Sequence, residues 1–394
     1  MNHAPSHSQS NGRRLLVYLI LSNFLLHFGY RMWEAMFNNF AVEHIGIGPG
    51  AIGWIQATRE LPGLMGFLLG LAVLYLAEMR IMALCVILLG VGNILVGQSN
   101  TIPSLLLSTL VMSVGFHFFY TSSDSVVLMA VNRQDAPKRL GQLGSLGAVA
   151  ALVATGMVYL LADRWGYRAL FAVTGGLVAV GGFGLLPLGR TRSSLPPRRK
   201  IVLRRTYWLY YTLSFLMGSR RHIFTTFAIF LLVKEHGISV QTTATLFLIN
   251  SLISTYALQA IGRLVGRLGE RLVLSITFAL LILVFLGYAF VQVLAVLFAL
   301  FVVDNILFGC NLALVTYFQK IAKTPEEITG NVSVEQTINH VAAVLIPVIG
   351  GTIWQAFGSQ ATFLAGAGLV ALSLVLTQFV RTPSSPEPSG VSFA

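Results

Sequence analysis

The 394 residues are 55% hydrophobic and only 10% charged, with mean hydropathy +0.77 and a net charge of +12. A soluble domain carries about 25% charged residues, so this composition excludes an ordinary soluble fold. The two cysteines, Cys85 and Cys310, both fall inside apolar runs, which leaves disulfide and metal-cluster readings without support.

The opening stretch MNHAPSHSQSNG is polar. The apolar run after Arg13 and Arg14 is too long for the core of a cleavable signal, so 1–14 reads as a cytoplasmic tail. Twelve apolar runs follow, each near the roughly 20 residues that cross a bilayer as a helix. They lie at 15–41, 51–76, 81–98, 102–131, 142–161, 168–188, 207–233, 239–262, 272–290, 292–318, 331–355 and 361–380. Most separators are short and rich in Gly, Pro or charge, such as GIGPG, SNTIPS, NRQDAPKRLG and DRWGYR. One is longer: the basic stretch within 189–206 separates a six-helix half at 15–188 from another at 207–380. The Pro/Ser-rich end, 381–394, reads as a disordered cytoplasmic tail. These runs predict an all-α polytopic membrane protein with 12 transmembrane helices in two halves.

Lys and Arg set the orientation. With the N-terminus inside, only Arg164, Arg168 and Lys234 of the 26 basic residues fall outside, and Arg31, Arg59, Arg220 and Arg221 lie within spans. Both termini and the central linker are therefore expected in the cytoplasm, of a bacterial inner or plasma membrane. The positive charge reads as a topogenic signal and an attraction to anionic lipid, and no nucleic-acid partner is expected.

The halves resemble each other. FGYR at 28–31 matches MGSR at 217–220, and Gly141 of APKRLG matches Gly330 of TPEEITG, both at an offset of 189. GYRALFAVTGGLVAV from Gly166 matches GSQATFLAGAGLVAL from Gly358. An internal duplication follows. Six plus six helices, both ends inside and a basic central loop resemble the major facilitator superfamily, whose two halves are related by an axis along the membrane normal. GRLVGRLGER at 262–271 is similar to that superfamily's loop motif without its aspartate, and DRWGYRALF at 163–171 to the entry of helix 6. Between spans two and three only Glu78 and Arg80 remain of the equivalent loop, and span five lacks the glycine-proline pattern of drug/proton antiporters. The resemblance implies a rocker-switch carrier with a central site, acting as a monomer in the lipid bilayer on a small-molecule substrate.

Polar residues within spans should point into the bundle. Asn23, His27, Arg31, Glu34 and Asn38 recur every three or four residues and share one face of span one. That stripe reads as a cavity wall, or as an interior ladder in which Glu34 satisfies Arg31. In span seven, Arg221 shares a face with Ser214, Gly218 and Thr225, while Arg220 points about 100° away. The repeat register favours Arg220 as the counterpart of Arg31 and the polar stripe favours Arg221; both stay open. Arginines at related places in helices 1 and 7 resemble the phosphate clamp of the organophosphate/phosphate antiporters, which implies bidentate capture of an anion.

The acids have alternatives too. Glu60 reads as the ion-pair partner of Arg59 or Arg31. Asp124 on the face of His117 and Tyr120, Asp304 in span ten, and Glu335 and His340 in span eleven are candidates for proton coupling or gating. Each also has a structural reading, Asp304 through a bond to Asn305, Asn311 or an arginine. Asn250 and Asn311 are candidate walls of the substrate site. The expected function is secondary active transport of a small, anionic organic solute, coupled to protons or to exchange, without a cofactor, resident metal or enzymatic activity. The alternatives are a proton-driven exporter of lipophilic or cationic compounds and a non-transporting membrane sensor.

Overall fold

The computed structural model describes residues 7–130, 136–189 and 203–382. Most of the linker and the C-terminal tail lie outside the described residues. Bilayer hydrocarbon offers no water to backbone N–H and C=O groups, so an apolar run must satisfy them internally, as a helix does. Among the described residues there is no strand. The helices are α1 (His7–Phe40), α2 (Pro49–Leu64), α3 (Phe67–Tyr75), α4 (Glu78–Gln98), α5 (Ile102–Ala130), α6 (Ala136–Leu185), α7 (Trp208–Lys234), α8 (Val240–Leu268), α9 (Glu270–Phe290), α10 (Leu294–Gly309), α11 (Leu312–Ile321), α12 (Pro325–Phe357) and α13 (Ser359–Thr377).

Among the described residues, nine helical stretches are long and apolar enough to cross a membrane, or ten if the bent pair α2 and α3 counts as one. The breaks have local causes. Pro62 lies one turn before the 52° bend between α2 and α3, where its missing N–H and its ring weaken the helix. Predicted spans five and six run into one long element, α6, interrupted at Gly166, whose φ of 73° suits a residue without Cβ. Predicted span ten is split into α10 and α11 around Cys310 and Asn311.

The described residues form two compact units. The first comprises those of Met1–Arg198 with Thr225–Leu252 and Ala343–Ser359; the second comprises those of Arg199–Phe224 with Ile253–Ala342 and Gln360–Ala394. In the first unit, α4 packs on α5 and α6, α1 on α6 and α4, and α2 on α5. In the second, α9 packs on α10 and α11.

Close packing in the first unit depends on small residues. Lipid tails are as apolar as leucine, so membrane helices associate through van der Waals contact, which small residues deepen. A Cβ on Gly90 of α4 would lie 2.5 Å from both Gly175 O and Ala179 N of α6, so the two backbones meet directly there. Gly184 of α6 is exposed and has open space around it. Gly90→Ala should therefore lower thermal stability in detergent by the usual overpacking cost of about 1–3 kcal/mol, while Gly184→Ala leaves it unchanged or slightly raised. Equal melting curves for the two variants would refute the close-contact account.

Candidate functional site

In the first unit, α1 carries the polar stripe on one continuous helix. Asn23 donates to Leu19 O at 2.8 Å and to Ser123 Oγ at 3.3 Å. His27 places Nδ1 3.0 Å from Asn23 O and Nε2 3.1 Å from the Tyr120 hydroxyl. One turn on, Arg31 donates from Nη1 to Glu34. Asn38 is buried, and its Oδ1 accepts no hydrogen bond among the described residues. Of the two readings of Arg31, the local pairing is present, and the pair is also open: the side chains of Arg31 and Glu34 are 39% and 25% exposed.

Beside this pair lies a more enclosed one. Arg59 donates to Glu60 Oε1 at 2.6 Å and to the Tyr30 hydroxyl at 3.3 Å, with its guanidinium 5.5 Å from the Trp33 ring. Glu60 thus joins Arg59, the first of its two expected partners. Its other oxygen faces His117 Nε2 at 3.5 Å. His117 Nδ1 lies 2.9 Å from Ser113 Oγ, which in turn donates to Arg59 O. Tyr30 stacks on Phe116 at 4.0 Å between centroids, and Phe116 meets Tyr120 edge-on at 4.9 Å. Of this aromatic wall only Tyr120 stands out in sequence, on the face of His117 and Asp124, while Tyr30 stands inside FGYR. An aromatic residue in an aromatic-rich membrane chain carries no mark of its own.

In the second unit, Arg220 is fully buried and donates from Nη1 to Asp304 Oδ1 at 2.7 Å. Asp304, with no charged residue near it in sequence, therefore has its counter-ion on another helix, the arginine among its expected partners. The Nε and Nη2 edge of Arg220 has no acceptor among the described residues. Arg221 is half-buried, its guanidinium 3.9 Å from the Phe308 centroid, a distance at which a desolvated cation–π contact contributes up to about 2 kcal/mol. Glu335 is half-buried and within electrostatic reach of Arg221. His340 is half-buried; Asn311 stands at the break between α10 and α11, its Oδ1 without a donor among the described residues. In the first unit, Asn250 is buried, with its Oδ1 likewise unmatched, and Asp124 is exposed.

Two polar anchors at helix ends complete the second unit. Glu270, at the start of α9, pairs with Lys320 of α11 at 2.7 Å and also faces the favourable helix N-terminus. Glu327 accepts from Arg204 Nε and Nη2, at 3.0 and 2.6 Å on one oxygen, and from the Tyr207 hydroxyl on the other. Those hydrogen bonds, Arg204's first and Tyr207's second, outweigh desolvation and hold the Glu327 carboxyl down at about 2.

Over residues 19–334 the sequence matches the family model of the Major Facilitator Superfamily. The chain belongs to this superfamily. None of the curated proteins matches it. Its fold is similar to that of a bacterial homologue of the human lysosomal transporter Spinster, solved inward-facing and occupied: TM-score 0.77, 14% identity, covering 96% of this chain and 97% of that one. It is similar also to the nucleoside transporter NupG, with TM-score 0.74 and 16% identity over 92% of this chain and 98% of that one. At these identities the likeness carries the superfamily architecture alone.

Arg220→Gln leaves a buried carboxylate uncompensated and should cost about 3–5 kcal/mol of stability, much of it recovered when Asp304→Asn is added; additive losses in a double-mutant cycle would show that the residues do not interact. A carboxyl held below its usual 4.5 stabilises the fold above that pH and loses its effect as pH falls toward about 2. Glu327→Gln should therefore melt below wild type at neutral pH, with the gap closing across that acid window. A pH-independent gap would refute the assignment.

Proposed function

We propose that this superfamily member is a secondary active transporter that moves a small organic solute bearing an anionic group by alternating access. Twelve spans would carry it through an inner or plasma membrane, with both termini in the cytoplasm and a single chain sufficient in lipid. The observation that supports the solute class is the Arg31–Glu34 pair. It is open, whereas the side chains of Arg59 and Glu60 are 17% and 9% exposed and those of Arg220 and Asp304 are 0% and 7% exposed.

An open arginine held by its own carboxylate can exchange partners. The solute's carboxylate or phosphate takes the Arg31 guanidinium, and Glu34, having lost its counter-ion, takes up a proton. One negative charge and one proton then enter together, so no extra charge is left in the apolar interior, where it is costly. In this reading Glu34 carries a coupling proton, and Asp304, enclosed with Arg220, remains a proposed coupling or gating group. His27 and Tyr120 orient the solute beside Arg31; Asn38 is a further wall residue. Asp124, Glu335 and His340 remain proposed gating groups, and Arg221, Asn250 and Asn311 proposed contacts.

One observation favours a second reading, export of lipophilic or cationic compounds: the stacked wall of Tyr30, Phe116 and Tyr120 is built of the aromatic faces that cations and flat apolar molecules prefer. A thermal-shift screen of the purified protein against organic anions, sugar phosphates and lipophilic cations separates the two. The anion reading expects stabilisation by an anion, weakened roughly ten- to a hundredfold in Arg31→Gln, the worth of a charged hydrogen bond. Glu34→Gln should keep anion binding and lose its dependence on pH. Stabilisation by cations alone, or an anion response untouched by Arg31→Gln, would sink it.

A further inference from the structure

We infer that Asn39 is a latch joining the two sequence halves at the end of the bundle where α1 finishes, and that breaking it opens that end. The last residues of α1 pass into a π-helical turn, Ala41–Ile45, which ends at Gly46 with φ 72°. Such turns insert one residue into the helical register and re-aim the side chains around them. Glu43, four residues on from Asn39, meets it across this turn, the spacing at which helical side chains are neighbours. The Asn39 amide is fully buried. Its Nδ2 donates to Glu43 Oε1 at 3.0 Å and to Ile238 O at 2.8 Å, and its Oδ1 accepts from Thr243 Oγ1 at 3.0 Å. The second oxygen of Glu43 accepts from the Tyr167 hydroxyl at 2.9 Å. A continuous chain of hydrogen bonds thus runs from α6 through α1 to the α7–α8 turn and the first turn of α8, crossing from the first sequence half to the second.

All these residues lie in the first unit, where the same two halves also meet between α2 and α12. That contact is of another kind. A Cβ on Gly53 would collide with Pro347 O, and one on Gly351 would lie 2.5 Å from Pro49 O, so backbone meets backbone. Contacts between glycine-lined backbones hold by close fit and part without leaving a buried polar group behind. Asn39 differs: separation strands its amide, the Ile238 carbonyl and the Thr243 hydroxyl at once, unless water enters. It therefore supplies the specific, directional part of the seam. Water entry on parting would satisfy all three groups, which makes the seam reversible.

The test needs no solute, so failure of the solute screen leaves it standing. In a background with Cys85→Ala and Cys310→Ala, spin labels are attached at the exposed positions Trp54 and Lys234, as Trp54→Cys and Lys234→Cys, and the distance distribution is measured in nanodiscs. Asn39→Ala should raise the ratio of long to short distances roughly tenfold. Thr243→Val, which preserves shape and removes one bond, should raise it less and keeps the inference testable if Asn39→Ala does not fold. Thr174→Val, which removes a bond within α6 only, is the control and should leave the distances unchanged. Distances unchanged in Thr243→Val and Asn39→Ala, or changed equally in the control, would overturn the latch.

Discussion

Arg31, Arg59, Arg220 and Arg221 lie deep in apolar spans, and the cost of a lone charge there dictates where the neighbouring acids must be. The solutions differ in reach. Arg31 takes Glu34 from its own helix one turn on, and Arg59 takes the adjacent Glu60. Arg220 takes Asp304 from another helix, and Arg221 lies over the Phe308 ring. Enclosure differs between these pairs: Arg59–Glu60 and Arg220–Asp304 are enclosed, while Arg31–Glu34 is open. A partner on another helix ties elements together, and enclosing that bond strengthens it. A partner on the same helix ties no second element by that bond alone; Arg59 and Glu60 reach α1 and α5 through Tyr30 and His117.

Around the charges, packing is governed by the absence of a hydrophobic drive between helices in lipid. Glycine provides the substitute. Where Gly90 meets Gly175 and Gly53 meets Pro347, backbones approach more closely than any side chain would permit, and many weak contacts add up. Such surfaces are complementary in shape and indifferent to direction. Hydrogen bonds from Asn39 and the three-way grip on Glu327 supply direction at single points. A carrier that must change conformation has use for both: fit that can be made and broken cheaply, and a few polar bonds that select which arrangement is held.

The helical bends follow the same economy of local causes. Pro62, Gly166 and the π-helical turn after Phe40 each interrupt regular hydrogen bonding where the chain must turn or re-aim a side chain. Of these, Pro62 and the glycine in DRWGYR are visible as residue types, whereas nothing in AVEHI marks a π-helical turn.

Apolar run length, the duplicated motifs and the spacing of α1's polar residues sufficed for membrane helices, superfamily and polar stripe, since each rests on periodicity within one segment or likeness between two. The pairing of Arg31 with Glu34 was legible for the same reason, being one turn apart. What lay beyond one segment was not. Asp304 has no charged neighbour in sequence, and its arginine sits 84 residues away; Asn39 and Thr243 are separated by 204. Between Arg220 and Arg221, adjacent and chemically identical, repeat register and polar stripe point opposite ways. Only the packed helices distinguish them, enclosing one guanidinium against a carboxylate and laying the other over an aromatic ring, because enclosure and the distances between helices are properties of the fold.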